Sequence, residues 1–251
     1  VSAILTQTEF GPMLVPPYDE YLGQAMIREG EYAPLEFETW RPYLFEGAAV
    51  VDVGANFGAH TFAFAQAVGP SGLVIAFEPQ RPLFHMLAGS CALGDWNNVR
   101  PAQLALGAER GIVTVPFFDY RAPNNFGGLE LNKSYPVGED ISRVRLDDLS
   151  ITLDFLKIDV EGMELDVLVG GEETIAKCRP VIAMEADRDG MPEKLIDWCN
   201  AHGYRAWLHN PPLGDHWPTI CSINLFALPM EKTELPEPEG YVTSLALQKA
   251  A

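Results

Sequence analysis

Basic residues are scarce in this chain, cysteines are unpaired in spacing, and no long apolar run occurs. Lysine and arginine number 17 against 35 acidic residues, a formal net charge of −18. Affinity for a nucleic-acid backbone comes mainly from cations that neutralise phosphate. That balance therefore excludes nucleic acid as the expected partner, and it disfavours docking on anionic lipid. No stretch approaches the ~18 apolar residues that mark a membrane span. The four cysteines, Cys91, Cys178, Cys199 and Cys221, lie far apart without a C-x-x-C pair. A zinc site or disulfide framework is not expected; reduced thiols in a cytoplasmic protein are. No basic residue precedes Arg28, so the opening stretch does not read as a secretory signal. Internal repeats and low-complexity tracts are also lacking.

The 251 residues are enough for one α/β domain with additions. Residues 1–46 read as an amphipathic helical segment broken by Pro12, Pro16, Pro17 and Pro34. From residue 47, short apolar runs alternate with helical patterns: AVVDVG, then AHTFAFAQAV; LVIAFEP, then LFHMLAGSCAL; and VRPAQLAL. The alternation resumes with DFLKIDV, a helix from Glu164 to Gly170-Gly171, PVIAMEA and PEKLIDWCNAH. This rhythm predicts a mostly parallel sheet with helices on both faces over residues 47–229. Inside it, GIVTVPFFDY and ISRVRLDDL alternate apolar and polar residues, so residues 111–149 read as an antiparallel insertion around a long polar loop. YRAWLHN and CSINLFALP predict a closing antiparallel pair. Residues 230–251 read as an acidic, proline-rich surface tail.

The chemistry gathers at VVDVGANFGAH, residues 50–60. In an open α/β sheet, ligands bind outside the carboxyl ends of the strands. A glycine turn there, with Gly54 and Gly58, permits close backbone approach before a helix begins. Glu78 ends the next strand, 20 residues after Gly58, where an acidic side chain accepts hydrogen bonds from ribose hydroxyls. The full G-x-G-x-x-G pattern is absent: Asn56 replaces the middle glycine and no third glycine follows. Asp52 beneath the turn suits an ammonium group and would repel phosphate. A nucleoside with a cationic or zwitterionic tail fits better than a dinucleotide.

With VVDVGANFG, VIAFEP, VRLDDL, FLKIDVEGMELDVLVGG and VIAMEAD in this order, the sequence resembles the FkbM-type S-adenosylmethionine-dependent methyltransferases over roughly residues 30–228. The resemblance implies a Rossmann-like methyltransferase fold whose last strand inserts antiparallel. It also implies cofactor contacts at Asp52, Gly54, Asn56, Gly58 and Glu78, with Ala105 and Leu106 facing adenine. Where the family often has Tyr-Glu-Pro this chain has Tyr32-Ala33-Pro34, leaving Glu36 or Glu38 as substitutes for that glutamate. His60 stands where the family commonly has an aromatic residue. The family's acceptors point to O-methylation of a hydroxyl on a sugar, glycan or natural product, with N-methylation of a peptide amide as the alternative.

A hydroxyl or amide is a poor nucleophile at neutral pH, so methyl transfer calls for a general base. Asp159, interrupting the apolar strand FLKIDV at its carboxyl end, is the leading candidate; Glu161 and His60 follow. The alternative for Asp159 is a structural carboxylate that caps the next turn or binds the cofactor's amino group. Asp159 and Glu161 offer hard oxygen ligands, but without a clear third ligand no metal is assigned. Asn124 and Asn125, in the long loop, are candidates to orient the acceptor, or simply supply turn conformations. Trp198, Trp207 and Phe226 read as core. An NAD(P)-dependent oxidoreductase and a non-catalytic binding module are the rival classes.

Overall fold

The structure is a computed structural model that describes residues 2–211, 223–239 and 242–244. The chain opens with a β-hairpin, β1 (Ile4–Thr8) and β2 (Gly11–Val15), where the sequence pattern suggested helix. Gly11, at φ +94, supplies the turn. The hairpin packs on α4 (Arg81–Leu93) through Leu14, whose amide donates to Ser90 Oγ at 2.9 Å. Two short helices, α1 (Leu22–Arg28) and α2 (Pro34–Trp40), complete the N-terminal segment.

The central sheet holds β3 (Ala49–Val53), β4 (Leu73–Phe77), β5 (Val99–Ala102), β9 (Phe155–Ile158), β10 (Val181–Glu185), β11 (Tyr204–His209), β12 (Asn224–Pro229) and β13 (Val242–Ser244). Their spatial order is β13-β11-β12-β10-β9-β3-β4-β5. Strands β5, β4, β3, β9 and β10 are mutually parallel. β12 enters antiparallel between β10 and β11, as the resemblance implied. Val242–Ser244 adds an edge strand to β11, so this part of the expected surface tail belongs to the sheet.

The expected third strand is divided. Val99–Ala102 stays in the central sheet, while β6 (Ala105–Leu106) pairs with β8 (Gly138–Val144) and β7 (Gly111–Pro116) in a separate three-stranded sheet. The stretch Leu146–Leu149, read as strand, is a 3-10 turn.

Strand alternation sorts the side chains into two layers. Val51, Val53, Leu156, Ile158, Ile182 and Met184 pack against α5 (Glu164–Val169), α6 (Glu172–Cys178) and α7 (Met191–Ala201). On the opposite face, Val50, Phe155, Val181, Ala183 and Phe226 pack with Trp40 and with Phe64 of α3 (Ala59–Val68). Trp198, Trp207 and Phe226 are core residues, as expected. That second layer turns polar at the carboxyl ends of the strands, where Asp52, Lys157, Glu185 and Asn224 continue the same face.

Cys91, Cys178 and Cys199 are free thiols; Cys221 lies outside the described residues. No helix among the described residues is long and apolar enough to cross a membrane.

Candidate active site

A cavity of about 340 Å³ opens at the carboxyl ends of β3, β4, β9 and β10. Its walls include Gly54, Asn56, His60, Glu78, Ala105, Leu106, Asn125, Asp159 and Glu161, bringing together nine of the residues singled out from sequence. Asp52, Gly58 and Asn124 are not on its wall, and each has a different task.

Asp52 is fully buried. Its Oδ2 accepts from Thr61 Oγ1 at 2.7 Å and its Oδ1 lies 3.4 Å from Lys157 Nζ. It supports the turn from behind and has no face toward a ligand. Gly58 starts α3 at φ +106, and a Cβ there would lie 2.6 Å from the Phe62 ring and 2.7 Å from Leu87. Helix packing, not ligand approach, requires that glycine. At Gly54, with φ +80, a Cβ would sit 1.7 Å from the Asp159 carbonyl oxygen. What comes close to that glycine is therefore the neighbouring strand's own backbone. Asn124 pairs its backbone with residues Tyr18 and Glu20, so it anchors the loop.

Glu78 accepts two amide hydrogens, from Asn56 at 2.8 Å and Gln80 at 2.7 Å. Burial pushes its pKa up to about 7 against those two bonds and the pull of Lys157. Asn56 holds a left-handed conformation, φ 53, which an Asn tolerates better than most residues. The opposite wall carries His60 and Glu36, both buried, with His60 Nε2 3.7 Å from Glu36 Oε2. Burial and the charge on Lys157 hold the His60 pKa well below its ordinary value, so the ring is neutral. Burial, then repulsion from Asp159, raises Glu36 to about 8, while Asn224 Nδ2 donates to its Oε1. Glu38, the other proposed substitute, is exposed and paired with Arg41.

Sequence reasoning passed over Lys157, Glu36's burial and Glu185. Lys157 is buried, 3.2 Å from Asp159 Oδ2, and donates to the Gly54 carbonyl at 3.2 Å. A lysine inside the apolar run FLKIDV was the available signal, because such a charge is rarely buried unless paired. Glu185 brings a third carboxylate to Asp159 and Glu161, with one oxygen from each within 4.8 Å of the others. Burial, then repulsion from Asp159 and Asp187, raises the Glu185 pKa. Glu161 is already neutralised by an ion pair with Arg188.

The long loop closes the cavity's remaining side. Phe126 is fully buried; its amide donates to Asp19 Oδ2 at 3.1 Å and its carbonyl accepts from Gln80 Nε2 at 2.8 Å. Tyr120 stacks on Phe126 and donates to Gln80 Oε1 at 2.7 Å.

The fold is of the Rossmann-like α/β class, with the buried Glu78 carboxylate just after β4 and a carboxylate-rich far end at Asp159, Glu161 and Glu185. A family model, the methyltransferase FkbM domain, matches residues 52–206, more than half of the chain. The chain belongs to the FkbM methyltransferase family, whose methyl donor is S-adenosylmethionine. It is 28% identical over 161 residues to Methyltransferase sdnD of Sordaria araneosa, covering 49% of this chain and 60% of that protein. It is 24% identical over 143 residues to Methyltransferase 1 of Beauveria bassiana (strain ARSEF 2860), covering 48% and 57%. The chain thus spans less than two thirds of these relatives' length. Among solved structures, a methyltransferase FkbM from Methylobacillus flagellatus KT shares the fold, with a TM-score of 0.53 at 22% identity, over 72% of this chain and 44% of that one.

Proposed function

We propose that the chain methylates a hydroxyl of a sugar, glycan or natural-product acceptor, using Asp159 as general base. The observation that carries this reading is the division of one cavity into two chemically distinct ends. One end has Glu78 on its amide pair with Ala105 and Leu106 nearby. The other has Asp159, 38% exposed in its side chain, among carboxylates.

The residues fit the donor. Glu78 retains lone pairs beyond its two amide bonds and would accept both ribose hydroxyls. Ala105 and Leu106, both buried, offer an apolar surface to adenine. Glu36, beside neutral His60, suits the donor's ammonium group in place of the family's usual glutamate. When bound, the donor supplies an already activated methyl group. The protein's task is then to align the acceptor, exclude water and take one proton. Asp159 would accept that proton at a carboxylate oxygen. The pinned loop, through Asn125 and Leu129 on the cavity wall, would help shape the acceptor's side.

Labelled S-adenosylmethionine offered with a panel of sugars, natural products and peptides tests the reaction. Asp159→Asn should lower turnover about 100- to 10,000-fold and leave affinity for S-adenosylhomocysteine nearly unchanged. Weakened binding with turnover restored at saturating donor would instead assign Asp159 to the ammonium group. Label transfer to peptides alone would favour amide N-methylation.

A further inference from the structure

We propose that Lys157 is a positioning residue for methyl transfer, tying the Asp159 carboxylate to the glycine turn so that the base and the donor's cradle share one frame. The proposal rests on the reading of Asp159 as the base.

The placement follows from strand register. β3 and β9 run parallel with Asp52 opposite Lys157. Lys157 and Asp159 are two residues apart, so all three side chains project on the same face. An ammonium carries three protons, and three oxygens surround this one: Gly54 O at 3.2 Å, Asp159 Oδ2 at 3.2 Å and Asp52 Oδ1 at 3.4 Å. The backbone makes the same junction a second time, since the Asp159 amide donates to Val53 O at 3.0 Å.

A structural ion pair would need only one carboxylate, and Asp52 already supplies it from full burial. Asp159 is the second, open to the cavity at 38% exposure. Two neighbouring strands therefore place a shielded carboxylate behind the lysine, on β3, and an open one in front of it, at the end of β9. Lys157 itself is only 5% exposed, so solvent screening at this junction is weak. Its charge also reaches Glu36, His60, Glu78 and Glu185, which face it from α2, α3, β4 and β10. It is thus the cation shared by both ends of the cavity.

The test uses the full chain in four forms: Lys157→Arg, Lys157→Met, Asp52→Asn, and Lys157→Met combined with Asp52→Asn. The double variant removes the uncompensated buried charge that can prevent the single methionine variant from folding. Folding of each form is checked by circular dichroism, and its donor site by S-adenosylhomocysteine calorimetry. Turnover is followed with labelled donor and an acceptor that the wild-type chain methylates in the panel.

Relative to Asp52→Asn alone, the double variant should lower kcat at least about tenfold, with S-adenosylhomocysteine affinity held within a few-fold. Lys157→Arg keeps the charge but not a compact three-proton head. Its kcat should fall at least about tenfold, with S-adenosylhomocysteine affinity held within a few-fold. A folded double variant with the kcat of Asp52→Asn overturns the proposal, as does wild-type kcat in Lys157→Arg. Full activity of Asp159→Asn would remove the base reading by itself, and so tells the two failures apart.

Discussion

At Glu78, burial and hydrogen bonding pull in opposite directions. Burial favours the neutral acid, whereas the amides of Asn56 and Gln80 and the charge on Lys157 favour the carboxylate; the balance falls at about 7. Ribose hydroxyls would donate to the ionised form, so binding selects it. Affinity for S-adenosylhomocysteine should therefore rise with pH through about 7, and Glu36, raised to about 8, should extend the rise. Below that point the loss should approach about tenfold per pH unit. Calorimetry in buffers of different ionisation enthalpy should detect proton release on binding near pH 6.5. Glu78→Ala should remove the part of the pH dependence centred near 7 and weaken binding about 10- to 100-fold, since hydrogen bonds to a charged group contribute roughly 1.5–3 kcal/mol. A pH-independent wild-type affinity would show that Glu78 does not meet the ligand.

At the scale of elements, the long polar loop is a wall of the cavity, built by burying two aromatic rings. Phe126 and Tyr120 stack with centroids 4.3 Å apart, and Gln80, at the start of α4, bonds to both the Phe126 carbonyl and the Tyr120 hydroxyl. The same residue's backbone amide holds Glu78, so the loop and the Glu78 carboxylate share one anchor. Tyr120→Phe keeps the stacking but leaves Gln80 Oε1 without its buried donor. The expected cost is about 1–3 kcal/mol. Hydrogen exchange should accelerate across residues 118–127, with little change in the central strands. Uniform acceleration across the sheet would mean that the loop is not a separate unit of stability.

Across the whole molecule, buried titratable groups set opposing pH limits. Burial raises Glu36 to about 8 and both Glu78 and Glu164 to about 7. Between the ordinary carboxylate value and these values the folded state holds more protons than the unfolded chain. Stability therefore falls as pH rises through that window. His60 is held neutral, and burial lowers His209 to about 4. Below pH ~6.5 the unfolded chain binds those protons first, so their contribution to stability falls toward acid. The three acids outnumber those two histidines, so the net stability of the ligand-free chain should fall as pH rises from about 5 to about 8. Its melting temperature should decline over that window, the loss of stability amounting to about a few kcal/mol. A melting temperature that keeps rising to pH 8 would contradict the buried acids.

The strand–helix order, the parallel sheet and the wall residues Gly54, Asn56, Glu78 and Asp159 were legible in the sequence because each leaves a local mark. Apolar strands have a short period, glycines punctuate turns, and a carboxylate ending an apolar run stands out. The opening hairpin was misread as helix because its prolines and single Gly11 turn obscured a short alternation. Other features depend on contacts distant in sequence. Gly54 is required by the Asp159 carbonyl, and Gly58 partly by Leu87. Glu36 lies against His60, and Asp19 reaches Phe126 across the loop. Asp52 looked like a ligand contact until Lys157 and Thr61 were found to occupy it. By itself, the sequence determined the class of chemistry, since short-range patterns specify which residues end the strands. Only the tertiary structure decided which carboxylates face the cavity and which are sealed behind it, because that depends on register between strands more than one hundred residues apart.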